Sequence, residues 1–115
     1  MYTEDTICAI ATAPGGALGI VRISGKDTFS CLEKVFKPFG KRSIHERKSH
    51  EVVFGTISDN GQIVDEVLVT LFRSPHSFTG EDSAEISCHG SPYILQQVVE
   101  LLVASGCHIA HPGEF

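Results

Sequence analysis

The chain has 115 residues, 42% of them hydrophobic and 20% charged, with a net charge of −5 at neutral pH. That length and mixture fit one globular domain able to bury its own core, and they exclude a disordered chain or multidomain machinery within these residues. No apolar run nears the roughly 20 residues of a membrane helix and the start Met1-Tyr2-Thr3-Glu4-Asp5 lacks a basic leader, so a soluble, cytoplasmic protein is expected.

Residues 6–12 are apolar and partly β-branched and read as a strand; residues 17–23 read as a second, and the turn Ala13-Pro14-Gly15-Gly16 between them suggests a hairpin or a bulged edge. Ser24-Gly25 opens a predicted helix over 26–36, with Phe29, Leu32, Val35 and Phe36 at helical spacing and Pro38 and Gly40 as its stop. Residues 50–58 and Gln62–Phe72 read as strands joined through Asp59-Asn60-Gly61, whose central pair suits the positive φ values of a type I′ turn. Because residues 67–72 are apolar on both faces, that second strand is expected to be central and covered on both sides. Residues 84–88 alternate, with Ala84, Ile86 and Cys88 against Glu85, Ser87 and His89. Ser91-Pro92 opens a second helix to about Ser105, with Gly106 as its stop, and a short strand over 107–110 follows. The expectation is an α+β domain, one mostly antiparallel or mixed sheet with two helices packed on it.

Charge is uneven along this order. Residues 1–57 hold eight Lys/Arg against six Asp/Glu, a net of +2; residues 58–115 hold one Arg against eight acids, a net of −7. A wholly basic nucleic-acid module is therefore disfavoured, and the local run Lys37, Lys41, Arg42, Arg47 and Lys48, with His45 and His50, reads first as a solvated loop and second as a phosphate contact. Cys8, Cys31, Cys88 and Cys107 are scattered, with no CxxC pair. In a strand, Cys88 and His89 point to opposite faces, as do Cys107 and His108, so buried free thiols are expected and no metal site.

No phosphate loop of the GxxxxGK[ST] type occurs, and Gly15-Gly16-Ala17-Leu18-Gly19 leads into a strand instead of a helix, so it reads as a turn. Three features could carry chemistry. Arg22, on the Leu18/Ile20 side of its strand, needs either a carboxylate partner or a ligand. Ser77-Phe78-Thr79-Gly80-Glu81-Asp82 is a polar loop that ends in paired acids; they are either solvated or presented at a sheet edge. His89, at a strand-to-helix turn, reads as a turn residue, a base or an anion contact. No catalytic set is assigned.

Taken together, Asp5 to Thr12, Gly19-Ile20-Val21-Arg22-Ile23-Ser24-Gly25, Ser77 to Asp82, His89-Gly90 and Pro112-Gly113-Glu114-Phe115 occur in the order found in the N-terminal domain of the MnmE (TrmE) family of tRNA-modification GTPases, which the chain resembles along essentially its whole length. The resemblance implies a fold similar to the folate-binding part of aminomethyltransferases, binding of 5-formyl-tetrahydrofolate or a related tetrahydrofolate, and a homodimer. It assigns Arg22 and Glu81 to the folate. It further implies that a longer protein, with its FAD-containing partner MnmG, modifies C5 of the wobble uridine (position 34) of certain tRNAs, with GTP, Mg2+ and K+ bound by a GTPase domain outside these residues. The family Lys that follows the Pro-Gly-Glu-Phe motif also falls outside them. The turn Pro14-Gly15-Gly16 lacks the Arg found there in many members. A self-standing folate-dependent transferase and a pure dimerisation module are the alternatives; the first would need a base such as His89 or Asp82.

Overall fold

Alternation in the strands and helical spacing in two segments sort the apolar residues onto common faces, and the architecture follows from closing those faces on one another. The computed structural model describes residues 5–13, 15–75, 80–111 and 115. Among them are seven strands and two α-helices: β1 (Ile7–Ile10), β2 (Leu18–Ser24), α1 (Thr28–Val35), β3 (Phe36–Pro38), β4 (Val52–Asp59), β5 (Gln62–Phe72), β6 (Ser83–His89), α2 (Pro92–Ala104) and β7 (His108–Ile109), with a single 3-10 turn at Ile44–Glu46. The strands form one mixed sheet in the order β3-β4-β5-β6-β2-β1-β7. Every neighbouring pair is antiparallel except β1 and β7, which run parallel. No helix among the described residues is long and apolar enough to cross a membrane.

Both helices lie on one face. Val21 and Ile23 of β2, Val67, Val69 and Leu71 of β5, and Ala84 and Ile86 of β6 meet Leu32 of α1 and Leu95, Val98 and Leu102 of α2 in a continuous buried core. Among the described residues the opposite face carries no helix. There Leu68 is 40% exposed and Thr70 half-buried, while Phe72 at the strand end is buried, so β5 is central in the sheet and covered along its length on the helix side only. The apolar character of residues 67–72 thus reflects burial on the helix side and, on the other face, an exposed Leu68 and a covered Phe72, not double burial throughout.

The hairpins form as expected. β1 and β2 pair through Ile7↔Ser24 to Ile10↔Val21. Asn60 (φ 48) and Gly61 (φ 85) make the turn between β4 and β5. α2 begins with Pro92 after Ser91, whose hydroxyl accepts from the Ile94 N–H, and ends in a Schellman motif: the Gly106 and Cys107 N–H groups donate to Val103 and Leu102, with Gly106 at φ +119.

Three boundaries differ. α1 stops at Val35, and Phe36 turns out of the helix into the edge strand β3, paired with Ile57. Pro38 explains this: it disfavours helical backbone at Lys37 before it, and at a sheet edge its missing N–H costs nothing. His50 has φ 69 and belongs to a turn, so β4 starts at Val52. The last strand shrinks to two residues.

The four thiols are free and buried. Sequence spacing hid one fact about them, because three converge beneath the helices. Cys107 shares a hydrogen bond with Cys8, is buried, and lies close to Cys31, and in that order these influences hold its thiol well above the ordinary range. Cys31 Sγ is 3.4 Å from the Ser105 carbonyl oxygen. All four should therefore resist an aromatic disulfide reagent in the native protein at pH 8 and react at once in denaturant. Stoichiometric reaction of any one within the dead time under native conditions would contradict this burial.

The basic run is ordered by internal partners. Arg47 Nη1 donates to Glu51 at 2.9 Å, and this hydrogen bond first of all holds the Glu51 carboxyl below its ordinary range. Arg73 donates to the Arg47 and Ile44 carbonyls at 2.7 and 2.8 Å and lies over the Phe29 ring. Within the run, Arg42 and Arg47 thus share the Glu51 carboxylate.

Candidate functional site

Of the sequence-derived candidates Arg22 stands on the uncovered sheet face, Glu81 lies in the connection before β6, and His89 is at the far end of β6. On β2 the even residues Leu18, Ile20, Arg22 and Ser24 alternate with the core-facing Gly19, Val21 and Ile23, and the odd residues of β6 stand beside them: Ile20↔Ser87, Arg22↔Glu85 and Ser24↔Ser83. Arg22 meets its carboxylate directly across the strand pair. Its Nε and Nη2 both donate to Glu85 Oε2, at 2.9 and 2.6 Å, in a pair left 32% and 19% exposed. The Phe115 ring lies 5.9 Å from the Arg22 guanidinium, so the end of the Pro-Gly-Glu-Phe motif returns to the strand that carries Arg22. The sequence alone left Arg22 open between an ion pair and a ligand contact; Glu85, which sequence reasoning missed as its partner, becomes visible only through the β2–β6 register.

Glu81 sits in the connection that enters β6 and is exposed. Residues 76–79, the first part of that loop, lie outside the described residues, as do 112–114 of the last motif. The residues flanking Glu81 are tied down. The Ser74 hydroxyl donates to the Gly80 carbonyl at 2.9 Å, and Asp82 Oδ1 accepts the Ser74 N–H at 2.9 Å. The Asp82 carbonyl accepts from the Gly25 N–H at 2.9 Å and the Thr28 hydroxyl at 3.0 Å. The two motifs that carry Arg22 and Glu81 are thereby joined at Gly25. This glycine is needed on two counts: its φ is +142, and a Cβ there would lie 2.6 Å from Thr6 Cα. Ser24↔Ser83 then sets the spacing. Glu81 precedes Ser83 by two residues and Arg22 precedes Ser24 by two, so the two positions lie on opposite sides of the Ser24↔Ser83 pair.

His89 lies at the other end of β6. Its backbone N–H donates to Asp65 Oδ2 at 2.9 Å and its ring Nδ1 meets Asp65 Oδ1 at 2.7 Å. Asp65 was not singled out by the sequence, since an acid pair, Asp65-Glu66, within an otherwise apolar strand does not say which distant group it meets. Burial first, and the Asp65 charge second, push the neighbouring Cys88 thiol up to about 11. The two residues considered as a general base are thus committed elsewhere: Asp82 builds its loop, and His89 is a whole strand length from Glu81.

A separate open cleft of about 580 Å3 lies between the end of α1 and the β4–β5 turn, lined by Glu33, Lys34, Lys37, Asn60 and Ile63 among others, and includes none of the residues above. No group of three His, Cys, Asp or Glu side chains able to hold a metal occurs among the described residues.

Comparison with known proteins agrees with this arrangement of motifs. Residues 6–115 match the family described as GTP-binding protein TrmE N-terminus. The chain is 53% identical over 113 residues to the tRNA modification GTPase MnmE of Bacteroides thetaiotaomicron, covering 97% of this chain and 24% of that protein. It is 47% identical over 116 residues to the MnmE of Flavobacterium johnsoniae, covering 100% and 25%. For Porphyromonas gingivalis MnmE the identity is 43%, covering 99% and 24%. The chain spans about a quarter of the length of these curated relatives. With the family match running from Thr6 to the end and relatives near half-identical along nearly all of it, the chain belongs to the TrmE N-terminal domain family.

Proposed function

We propose that this domain binds a reduced folate, 5-formyl-tetrahydrofolate or a close relative, and pairs with a second copy of itself, as the N-terminal part of a longer cytoplasmic GTPase that modifies tRNA. The observation that carries the folate reading is the Gly25–Asp82 hydrogen bond, which ties the strand of Arg22 to the loop of Glu81 at one end of the uncovered face. A reduced pterin offers N3–H and its 2-amino group along one edge. An ionised carboxylate such as Glu81 accepts both, and the planar fork of Arg22 suits the carbonyl and carboxylate groups further along the ligand. A self-standing transferase is not favoured, because neither Asp82 nor His89 is free to serve as a base beside Glu81.

Pairing is supported by the outer half of the same face. Val52, Phe54 and Leu68 are 54%, 53% and 40% exposed, and Phe39 stacks on Phe54 with ring centroids 5.6 Å apart. Such a patch favours a covering surface. In the longer protein, GTP with Mg2+ and K+ would bind outside these residues, and MnmG with its FAD would join in modifying C5 of the wobble uridine of tRNA.

Calorimetric titration of formyl-tetrahydrofolate into this chain tests the folate reading; saturable binding with one site per chain is expected, and absence of heat at high micromolar protein would refute it. Sedimentation at the same concentration tests the pairing. A dimer mass is expected, weakened by Phe54→Lys, whereas a strictly monomeric mass overturns it.

A further inference from the structure

The basic run between α1 and β4 is a feature that the folate reading leaves unused. Residues 33–51 hold six Lys/Arg against three Glu, a net of +3, while the rest of the chain holds three Lys/Arg against eleven acids, a net of −8. Positive charge is thus gathered at one place on an acidic domain. The three carboxylates of that stretch are each engaged within it. Glu33 meets the His45 ring at 2.9 Å, Glu46 accepts the Ser43 N–H at 3.1 Å in a capping box, and Glu51 is shared by Arg47 and Arg42. None of them pairs with a lysine. Lys37, Lys41 and Lys48 are exposed, and among the described residues they meet no carboxylate.

The fold brings these cations to one edge of the sheet. Lys34, in the last turn of α1, and Lys37, on the edge strand β3, line the same open cleft. Beyond them the Phe39 N–H donates to the Phe54 carbonyl at 2.9 Å, and the chain leaves the sheet for the loop that carries Lys41, Arg42 and Lys48. That loop is cross-braced through its backbone. Arg42 donates to the Glu46 carbonyl at 3.2 Å, Arg47 to the Arg42 carbonyl at 3.4 Å, and Arg73, just past β5, to the Arg47 and Ile44 carbonyls. The lysines therefore hold their charge in solvent on an ordered frame. A lysine at a sheet edge guards against strand addition, which accounts for Lys37 but not for Lys41 or Lys48.

We propose that this surface at the β3 edge holds the phosphate backbone of RNA through Lys37, Lys41 and Lys48, without reading its bases. Resting on the reading above that the longer protein modifies tRNA, that RNA is tRNA. Ammonium groups on flexible stems take phosphates as point charges, and each contact releases condensed counterions. Charge density favours nucleic acid over an acidic peptide: a double helix carries one charge per about 1.7 Å of axis, an extended acidic chain one per about 3.5 Å. The net −8 of the remaining residues disfavours approach of a polyanion elsewhere on the domain. In the sheet order β3 lies four strand spacings from β2, roughly 19 Å, so RNA at this edge does not compete with a ligand at Arg22.

Fluorescence anisotropy of labelled tRNA tests this. With three phosphates engaged, the affinity of this chain should fall about 20- to 40-fold between about 25 and 100 mM salt. Lys37→Gln and Lys41→Gln each remove one contact. The slope of log affinity against log salt should shrink by about one, and binding at the lower salt should weaken about five- to tenfold. Ile109→Glu is the control, with the same change in net charge as either lysine variant. It lies at an exposed position on β7, the opposite edge of the sheet and roughly 29 Å away, and should keep the slope and alter affinity less than about twofold. Poly-glutamate at equal charge concentration should compete at least about tenfold more weakly than unlabelled tRNA. No binding of tRNA at the lower salt, equal losses in Lys41→Gln and Ile109→Glu, or poly-glutamate competing as well as tRNA overturns the proposal, the last in favour of an acidic protein partner. Each of these leaves the tRNA-modification reading standing, since that is tested by the wobble uridine made by the longer protein. A longer protein that leaves that uridine unmodified removes the modification reading, while a lysine-dependent salt slope keeps the phosphate surface.

Discussion

Gly90→Ala is expected to cost about 2–4 kcal/mol of stability, lowering the melting temperature by about 10–20 °C, or to prevent folding outright. The cause is not backbone conformation, since Gly90 lies outside the positive-φ glycines. A Cβ there would sit 2.0 Å from the Gly16 carbonyl oxygen, 2.9 Å from its carbon and 3.1 Å from the Ala17 carbon. All three are backbone atoms, so no side chain can rotate away, and relief requires parting the 15–17 turn from the start of α2. That movement would break the Gly90–Ala17 hydrogen bond and loosen the Leu18↔His89 end of the β2–β6 ladder. Gly61→Ala is the control. Its φ is +85, but nothing lies within 4 Å, so only the left-handed penalty of about 1–2 kcal/mol applies. Thermal melts of the two variants separate close approach from conformational strain. A Gly90→Ala protein that melts within about 2 °C of the parent would mean that the turn and helix are not packed as described.

Glu81→Gln is expected to weaken formyl-tetrahydrofolate binding by about 30- to 150-fold, or about 2–3 kcal/mol. The amide keeps one acceptor and turns a donor toward a pterin edge that itself presents donors. Arg22→Ala should also weaken binding, but it removes the partner of Glu85, which is 19% exposed, so part of its effect is structural. Asp82→Asn should act mainly on stability, because the Asp82 carboxylate is used by the Ser74 N–H. Calorimetry on variants shown to be folded by circular dichroism distinguishes these roles. If Glu81→Gln binds as tightly as the parent, Glu81 does not hold the pterin. If Asp82→Asn loses as much affinity as Glu81→Gln while melting normally, the two acids have exchanged roles.

Local chemistry was enough to read most elements. The Asn60-Gly61 turn, the Ser91-Pro92 start and Gly106 end of α2, and the alternation of β6 each depend on a few adjacent residues, and each formed where those residues stand. Errors arose where a local signal met a competing tertiary demand. Phe36 carries the right spacing for a helix stripe but is drawn into an edge strand by Pro38 and by its place opposite Ile57. The apolar run of β5 reads as double burial although only one face meets helices, because hydrophobicity records a need for cover without naming what supplies it.

The amino-acid sequence by itself determined the α+β class, the hairpins, the burial of all four cysteines and the motif order that marks the family, since these depend on periodicity, turn chemistry and residue identity along the chain. Which groups meet was decided by the tertiary structure alone. Arg22 and Glu85 are 63 residues apart, Asp65 and His89 are 24 apart, and Cys8, Cys31 and Cys107 come from three different elements. Each meeting follows from strand order and register in the β5-β6-β2-β1 part of the sheet or from the packing of helices across it. A register shift of one residue would turn Glu85 away from Arg22 and toward the core, so these partnerships are set by pairings between distant segments, which the cost of burying an unpaired charge selects only once the sheet is assembled.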